Sequence, residues 1–404
     1  MKIFDSMMRK GGVIAIFAGV LGCSPSYAQQ IPIGTTGNVS DLVTDLYGGN
    51  GITLDPGIVF HEAHFSADSR EELVNLSNLI ASSIGVISFN SSVSAFSFDI
   101  DEGVAVQSQQ SLGPLLAERA STVGQGRVNV GVSYTKIDYK RLNGQRLDNL
   151  QLSLAHDREF GVPYEDDIVY LQIDLQLEQQ LLAFTGTYGV TENLDVGFVV
   201  PLVSTKGSAR SVATIITALD PTPHIFGGAT NPVASNRASA TGLGDIQLRA
   251  KWVIPRATES QVNAAVLLQG TLETGDEKDL LGSGASAIYL GGVVSAELGK
   301  INPHINIGYE KYFGQTTIPG LDTDRSNIRA IAGFDLKVND NFVIAPDLIG
   351  RWQDNGRKFY DIALGAKWAP VGNVPISANI VVPLNRNQGL RSNFYFTLGI
   401  ETSF

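Results

Sequence analysis

Asp245, Gln247, Arg249 and Lys251 stand at every second position of "TGLGDIQLRAKWVIP" (241–255), and Ile246, Leu248, Ala250, Trp252 and Ile254 fill the places between and after them. Period two marks a β-strand, whose successive side chains point to opposite faces. This strand is ionic on one face and greasy on the other. The alternation recurs along most of the chain. Val128, Val130, Val132 and Tyr134 alternate with Asn129, Gly131, Ser133 and Thr135, and Leu194, Val196, Phe198, Val200 and Leu202 share one face. Val262, Ala264, Val266 and Leu268 oppose Asn263, Gln269, Thr271 and Glu273, while Ile328, Ala330, Ala332, Phe334, Leu336 and Val338 face away from Asn327, Arg329, Asp335 and Lys337. Thirteen or fourteen such segments can be marked, at roughly 92–106, 127–139, 147–157, 168–188, 194–204, 243–255, 261–274, 286–298, 302–314, 326–338, 341–352, 358–369, 374–384 and 391–403.

The connections alternate in length. "TEN" near 191, "RATES" near 258, "GKIN" near 300, "VNDN" near 339 and "PVGN" near 371 are tight, whereas those between them are longer, the extreme being 205–241. A membrane barrel has short turns at one end and long loops at the other, and it closes every backbone hydrogen bond internally. The pattern therefore predicts an all-β fold, a transmembrane antiparallel up-and-down β-barrel of about 14 strands. The alternative is 12, if the 92–106 segment and its neighbour lie outside the barrel. Tyr188, Trp252, Tyr312, Trp352, Trp368 and Phe404 fall near segment ends, where aromatic girdles sit. Phe404 also ends an aromatic-rich strand, the feature that outer-membrane proteins present to the barrel-assembly machinery, which is the expected partner beside outer-membrane lipid.

Two stretches break the alternation. In "SREELVNLSNLIASSI" (69–84), Ser69 and Glu72 have capping-box spacing, and Leu73, Leu76, Leu79 and Ile80 recur at helical intervals. The N-terminus has a basic start, an apolar run over 11–22 too short to span a membrane as a helix, and Ser26-Tyr27-Ala28 before Gln29. That is the layout of an export signal, although "VLGC" ahead of Cys23 offers a competing lipidation cut. The expected organisation is a signal peptide (1–28), an N-terminal periplasmic or plug segment with one helix (29–90), and an outer-membrane barrel (91–404). With the leader gone, no cysteine remains for a disulfide or for thiol chemistry.

Composition sharpens the picture. A net charge of −11 disfavours nucleic acid as a partner, because phosphates demand a basic face. With 43 glycines and only 17% charged residues, the body is neither disordered nor an ordinary acidic soluble enzyme.

The segments "TGTYGVTENLDVGFVVPLVS", "TGLGDIQLRAKWVI" and "QGTLETGDEKDLLGSGASAIYLGGVVSAEL" resemble the outer-membrane transporters grouped as the meta-pathway phenol-degradation family. The likeness runs from roughly 170 to 404. It departs from the usual motif at Glu273, where proline is customary, and at Ser283, where threonine is. The resemblance implies a β-barrel channel for small, hydrophobic or aromatic compounds.

On the barrel reading the ionic faces line the lumen, since a charge facing lipid at mid-depth costs about 2–4 kcal/mol. Candidate lumen-lining residues are Arg249, Lys251, Glu273, Glu310, Arg329, Asp335, Asp347, Arg351, Asp361 and Lys367, together with Lys337. They would either sort solutes by charge and size or pair among themselves and hydrate the interior. No cofactor, metal or catalytic residue is expected. His61 and His64 in "FHEAH" are three apart, which suits neither one strand face nor a zinc-peptidase motif. "LDTDRSN" (321–327) lacks the central glycine and distant glutamate of a calcium loop. Gly242 and Gly244 are followed by a strand, not by the helix of a dinucleotide site, and are expected to serve unusual dihedrals. Two other classes compete with the channel. One is a structural or adhesive outer-membrane protein with a blocked lumen, and the other is a barrel hydrolase using His156 or His304.

Overall fold

The structure is a computed structural model that describes residues 34–35, 37–54, 65–84, 96–99, 104–107, 116–155, 166–217, 224–226, 232–255, 260–314, 325–370 and 374–404. The leader with Cys23, His61, His64, His156 and positions 321–324 lie outside the described residues. No helix among the described residues is long and apolar enough to cross a membrane.

Twelve strands carry the chain around a ring. They are β1 (Val128–Leu142), β2 (Ile168–Thr191), β3 (Leu194–Ile216), β4 (Gln247–Val253), β5 (Val262–Thr271) and β6 (Ser286–Ala296). There follow β7 (Ile301–Phe313), β8 (Ser326–Asn339), β9 (Phe342–Gln353), β10 (Lys358–Trp368), β11 (Ile376–Pro383) and β12 (Leu390–Ser403). Each is antiparallel to the next, and β12 pairs back onto β1, so the ring has no free edge. Twelve is the lower of the two expected counts. Of the segments that drop out, 92–106 contributes to a separate hairpin, Phe96–Asp99 against Val104–Gln107. In 147–157, the strand Leu150–Ala155 pairs with the far end of β2. Val128 and Phe404 exchange backbone hydrogen bonds at the end of the ring that carries the short turns.

The alternation in sequence becomes an inside-out cross-section. On β7 the inward row Asn302, His304, Asn306 and Glu310 is buried, while outward Ile305 and Ile307 are each 56% exposed. Exposed Val266, Leu268, Leu290, Val294, Leu348, Ile362, Leu364, Leu398 and Ile400 continue this apolar belt around the ring. Tyr188, Trp252, Trp368 and Phe404 are exposed at its short-turn rim. Water-exposed apolar surface on this scale has one stable surrounding, the hydrocarbon of a bilayer. The fold is that of an outer-membrane β-barrel.

β2 and β3 are 24 and 23 residues long, roughly twice the 9–11 that a tilted strand needs to cross a bilayer. Their polarity inverts partway along. From Leu194 to Leu202 the outward row of β3 is apolar, and beyond it the row becomes Ser204, Lys206, Ser208 and Arg210. On β2 the change falls between Leu182, which lies opposite Leu202, and Gln180. On the far side of that level, inward Val169, Leu171, Ile173, Leu175 and Leu177 are all buried. The long-loop half is thus apolar inside and polar outside, like a soluble protein.

That apolar interior is filled by the N-terminal region. Helices α1 (Asp41–Thr44) and α2 (Ser66–Ile84) place Leu42, Val43, Leu73, Leu76 and Ile80 in one cluster with Ile137, Leu154, Leu171 and Leu175. Each such side chain contributes about 1.5–3 kcal/mol by leaving water. Ser69 is not the N-cap that the spacing suggested. The helix begins three residues earlier, and buried Ser69 instead accepts a hydrogen bond from the Ile52 backbone N–H at 3.0 Å.

Candidate functional site

The inward rows converge on a lumen that the chain itself occupies. Residues 116–123 run through it outside the sheet and reach β1 through a turn at Gly124 and Gly126, whose φ values of 95° and 74° favour glycine. Leu116 packs on Ala363 and Val381. The Glu118 backbone N–H donates to Asn306 Oδ1 at 2.6 Å, and Asn306 Nδ2 returns a bond to the Glu118 carbonyl at 2.9 Å. Further on, the Ala120 N–H donates to Ser295 Oγ at 3.2 Å and the Val123 N–H to Asp195 at 3.2 Å. Buried backbone here is satisfied by wall side chains and not by a strand ladder, so the segment is held without being part of the sheet.

Its two charged residues point opposite ways. Glu118 meets Arg249 Nη1 and Lys251 Nζ on β4, each at 3.3 Å. Arg119 pairs with Asp335 on β8. Four more inward pairs follow: Arg329 with Glu310 at 3.4 Å, Lys367 with Glu401 at 2.9 Å, His304 Nε2 with Asp347 at 2.7 Å, and Arg391 with Asp361. Of the ten candidate lumen residues, nine lie on inward rows of strands. Glu273 does not: β5 ends at Thr271, and Glu273 is exposed in the loop beyond. Its carboxyl is raised above the usual range by partial burial and by the neighbouring Glu277 and Asp245 carboxylates. Tyr312, expected in a girdle, is buried on an inward row. Sequence reasoning missed Glu118, Arg119, Asp195, Glu401 and Arg391. The "AER" stretch carries no periodicity, and nothing local shows that a segment outside the sheet passes through it.

The loop 272–285 folds over the lumen from the long-loop side. Asp245 holds it, accepting from the Gly275 N–H at 3.0 Å and from both the N–H and Oγ of Ser283 at 2.7 Å. Thr274 Oγ1 receives the Ile246 N–H at 3.0 Å and donates to the Gly244 carbonyl at 2.6 Å. A Cβ on Gly275 would lie 2.7 Å from Gly282, and one on Gly244 would lie 2.8 Å from Val203. The glycines serve close approach. Gly242 and Gly244, expected to serve unusual dihedrals, are not among the glycines with positive φ. Buried Leu280 is the strained residue, at φ 55°, and its carbonyl accepts Gln179 Nε2 at 3.0 Å. Asp245→Ala removes the acceptor of three hydrogen bonds. With charged-group bonds worth about 1.5–3 kcal/mol each, the loop is expected to loosen, seen as faster proteolysis within 272–285 while the barrel keeps its heat-modifiable gel mobility.

Between this loop and segment 116–123 lie two neighbouring cavities of about 70 Å³ and 40 Å³, with Gln247 and Arg329 in the lining of both. Leu181, Pro201, Val203, Leu281, Tyr312 and Arg351 line the larger, and Leu116, Glu118 and Arg249 close the smaller.

The site belongs to an outer-membrane β-barrel whose lumen holds residues 116–123 and is covered on the long-loop side by residues 272–285. Residues 163–342 match the model of the family described as "Putative MetA-pathway of phenol degradation", and the chain resembles that family over this stretch, which includes the Asp245 loop. No curated protein is a match. Among solved structures, an outer membrane channel from Pseudomonas putida F1 is 14% identical with a TM-score of 0.46, covering 71% of this chain and 99% of its own. The Ralstonia pickettii toluene transporter TbuX is 12% identical with a TM-score of 0.36, covering 70% of this chain and 90% of its own.

Proposed function

We propose that the protein is an outer-membrane channel that passes small molecules through the lumen once residues 116–123 move aside. One observation carries this reading: the mid-lumen cavities are lined by both charged and apolar side chains, and the segment that blocks them is held by side-chain contacts, not by strand pairing. A segment tied this way can leave without breaking the barrel. The family description names phenol degradation, so monocyclic aromatics are the first cargo to try. Catalysis is not part of the proposal.

A disulfide lock tests the channel. Ala120→Cys with Ser295→Cys joins the segment to β6 where they already touch. In planar bilayers, reduction of the oxidised variant should raise conductance several-fold. Equal conductance in both forms would remove the gating role. Occupation of the lumen by residues 116–123 favours the competing structural or adhesive reading, which silence of inserted protein in both redox forms would support.

A further inference from the structure

Arg351 is 6% exposed, lines the larger cavity and has no hydrogen-bond partner at Nε. Among the described residues, Arg119, Arg249, Lys251, Arg329, Lys367 and Arg391 each have an acid within 4.0 Å, and no acid lies that close to Arg351. Among the same residues, buried Arg325 has no acid within 4.0 Å but lies over the Tyr312 ring at 4.6 Å and donates to the Ser82 carbonyl at 3.2 Å, whereas Arg351 has neither contact. Its nearest cross-strand neighbour makes matters worse. Arg329 on β8 is directly opposite Arg351 on β9, and like charges facing one another across a ladder repel. Glu310 is within ion-pair distance of Arg329 alone, and it and Asp361 attract Arg351 only from beyond 4.0 Å. Its Oε1 faces Arg329 at 3.4 Å, and its Oε2 accepts Asn327 Nδ2 at 3.2 Å.

A buried guanidinium without a partner is costly, and its planar fork matches a carboxylate through two parallel hydrogen bonds. The rest of the wall selects what the carboxylate is attached to. Leu181, Pro201, Val203 and Leu281 offer apolar contact, and Tyr312 adds a ring. Glu310 and Asp245 on the same wall disfavour a second negative charge. We propose that the chamber binds a small monocarboxylate with an apolar, planar body, its carboxylate held by Arg351. This inference rests on the channel reading and gives its cargo a charge.

Calorimetric titration of the purified full chain in detergent tests it, with benzoate as the probe and benzyl alcohol as its neutral counterpart. Benzoate should bind at least tenfold more tightly than benzyl alcohol. Arg351→Gln should weaken benzoate by about ten- to a hundredfold, the range for a charge-assisted pair, and leave benzyl alcohol unchanged. Arg351→Lys keeps the charge and loses the fork, so an intermediate loss is expected there, which also serves if the glutamine variant does not fold. Binding of benzyl alcohol with no preference for benzoate, or equal losses for both ligands, overturns the carboxylate proposal and leaves the channel standing. Failure of both ligands to bind the wild type overturns the chamber as a ligand site, and the disulfide lock then decides the channel by itself.

Discussion

Alanine at position 118 is expected to turn a closed lumen into a conducting one. Glu118 is the acid that faces both Arg249 and Lys251, and its side chain is only 11% exposed. Removing one member of a buried pair costs about 3–5 kcal/mol, because the partner charge is left in a poor solvent. Here Arg249 is stranded and Lys251 keeps only Asp195, at 3.8 Å. Water relieves Arg249, and water enters most readily if residues 116–123 leave the lumen. Single-channel recordings of Glu118→Ala should therefore show steady conducting steps where the wild type shows little. The double variant that adds Arg249→Gln removes the stranded charge, leaves Lys251 with Asp195, and should close again. An inserted Glu118→Ala protein as silent as the wild type would count against the segment as a gate.

The second large effect lies on the outer surface. Leu290 on β6 is 56% exposed and sits in an outward row between Leu268 and Tyr309 on the flanking strands. Arginine there faces hydrocarbon and should destabilise the barrel in a bilayer by about 2–4 kcal/mol. Gln176 is also outward, but on the polar stretch of β2 on the far side of the Leu182 level. Arginine at 176 meets water and should change stability by less than about 0.5 kcal/mol. Urea unfolding from lipid vesicles measures both. Equal penalties at 176 and 290 would mean that the apolar belt does not end where the polarity of β2 and β3 inverts.

Comparing the two levels of the molecule shows where local pattern stops being informative. Period-two alternation placed all twelve barrel strands, because a strand between lipid and water must repeat apolar and polar residues at the pleat spacing, whatever its neighbours are. It overcounted at 92–106 and 147–157, since alternation records a half-buried strand and not the sheet it joins. It also missed the inversion along β2, where "LQIDLQLEQQLLAF" keeps its period while its apolar row changes sides.

The sequence by itself determined the barrel, the inward placement of Arg249, Lys251, Glu310, Arg329, Asp335, Asp347, Arg351, Asp361 and Lys367, and the short-turn end of the ring. Each of these follows from which side of a strand a residue occupies. Only the tertiary structure decided that Glu118 and Arg119 enter the lumen and that Asp245 is spent on a loop. It also decided that Arg351 is left without an acid while its neighbours are paired. Those facts depend on distances between residues more than twenty and often more than a hundred positions apart in the chain, and an ion pair has no periodicity for a sequence to display.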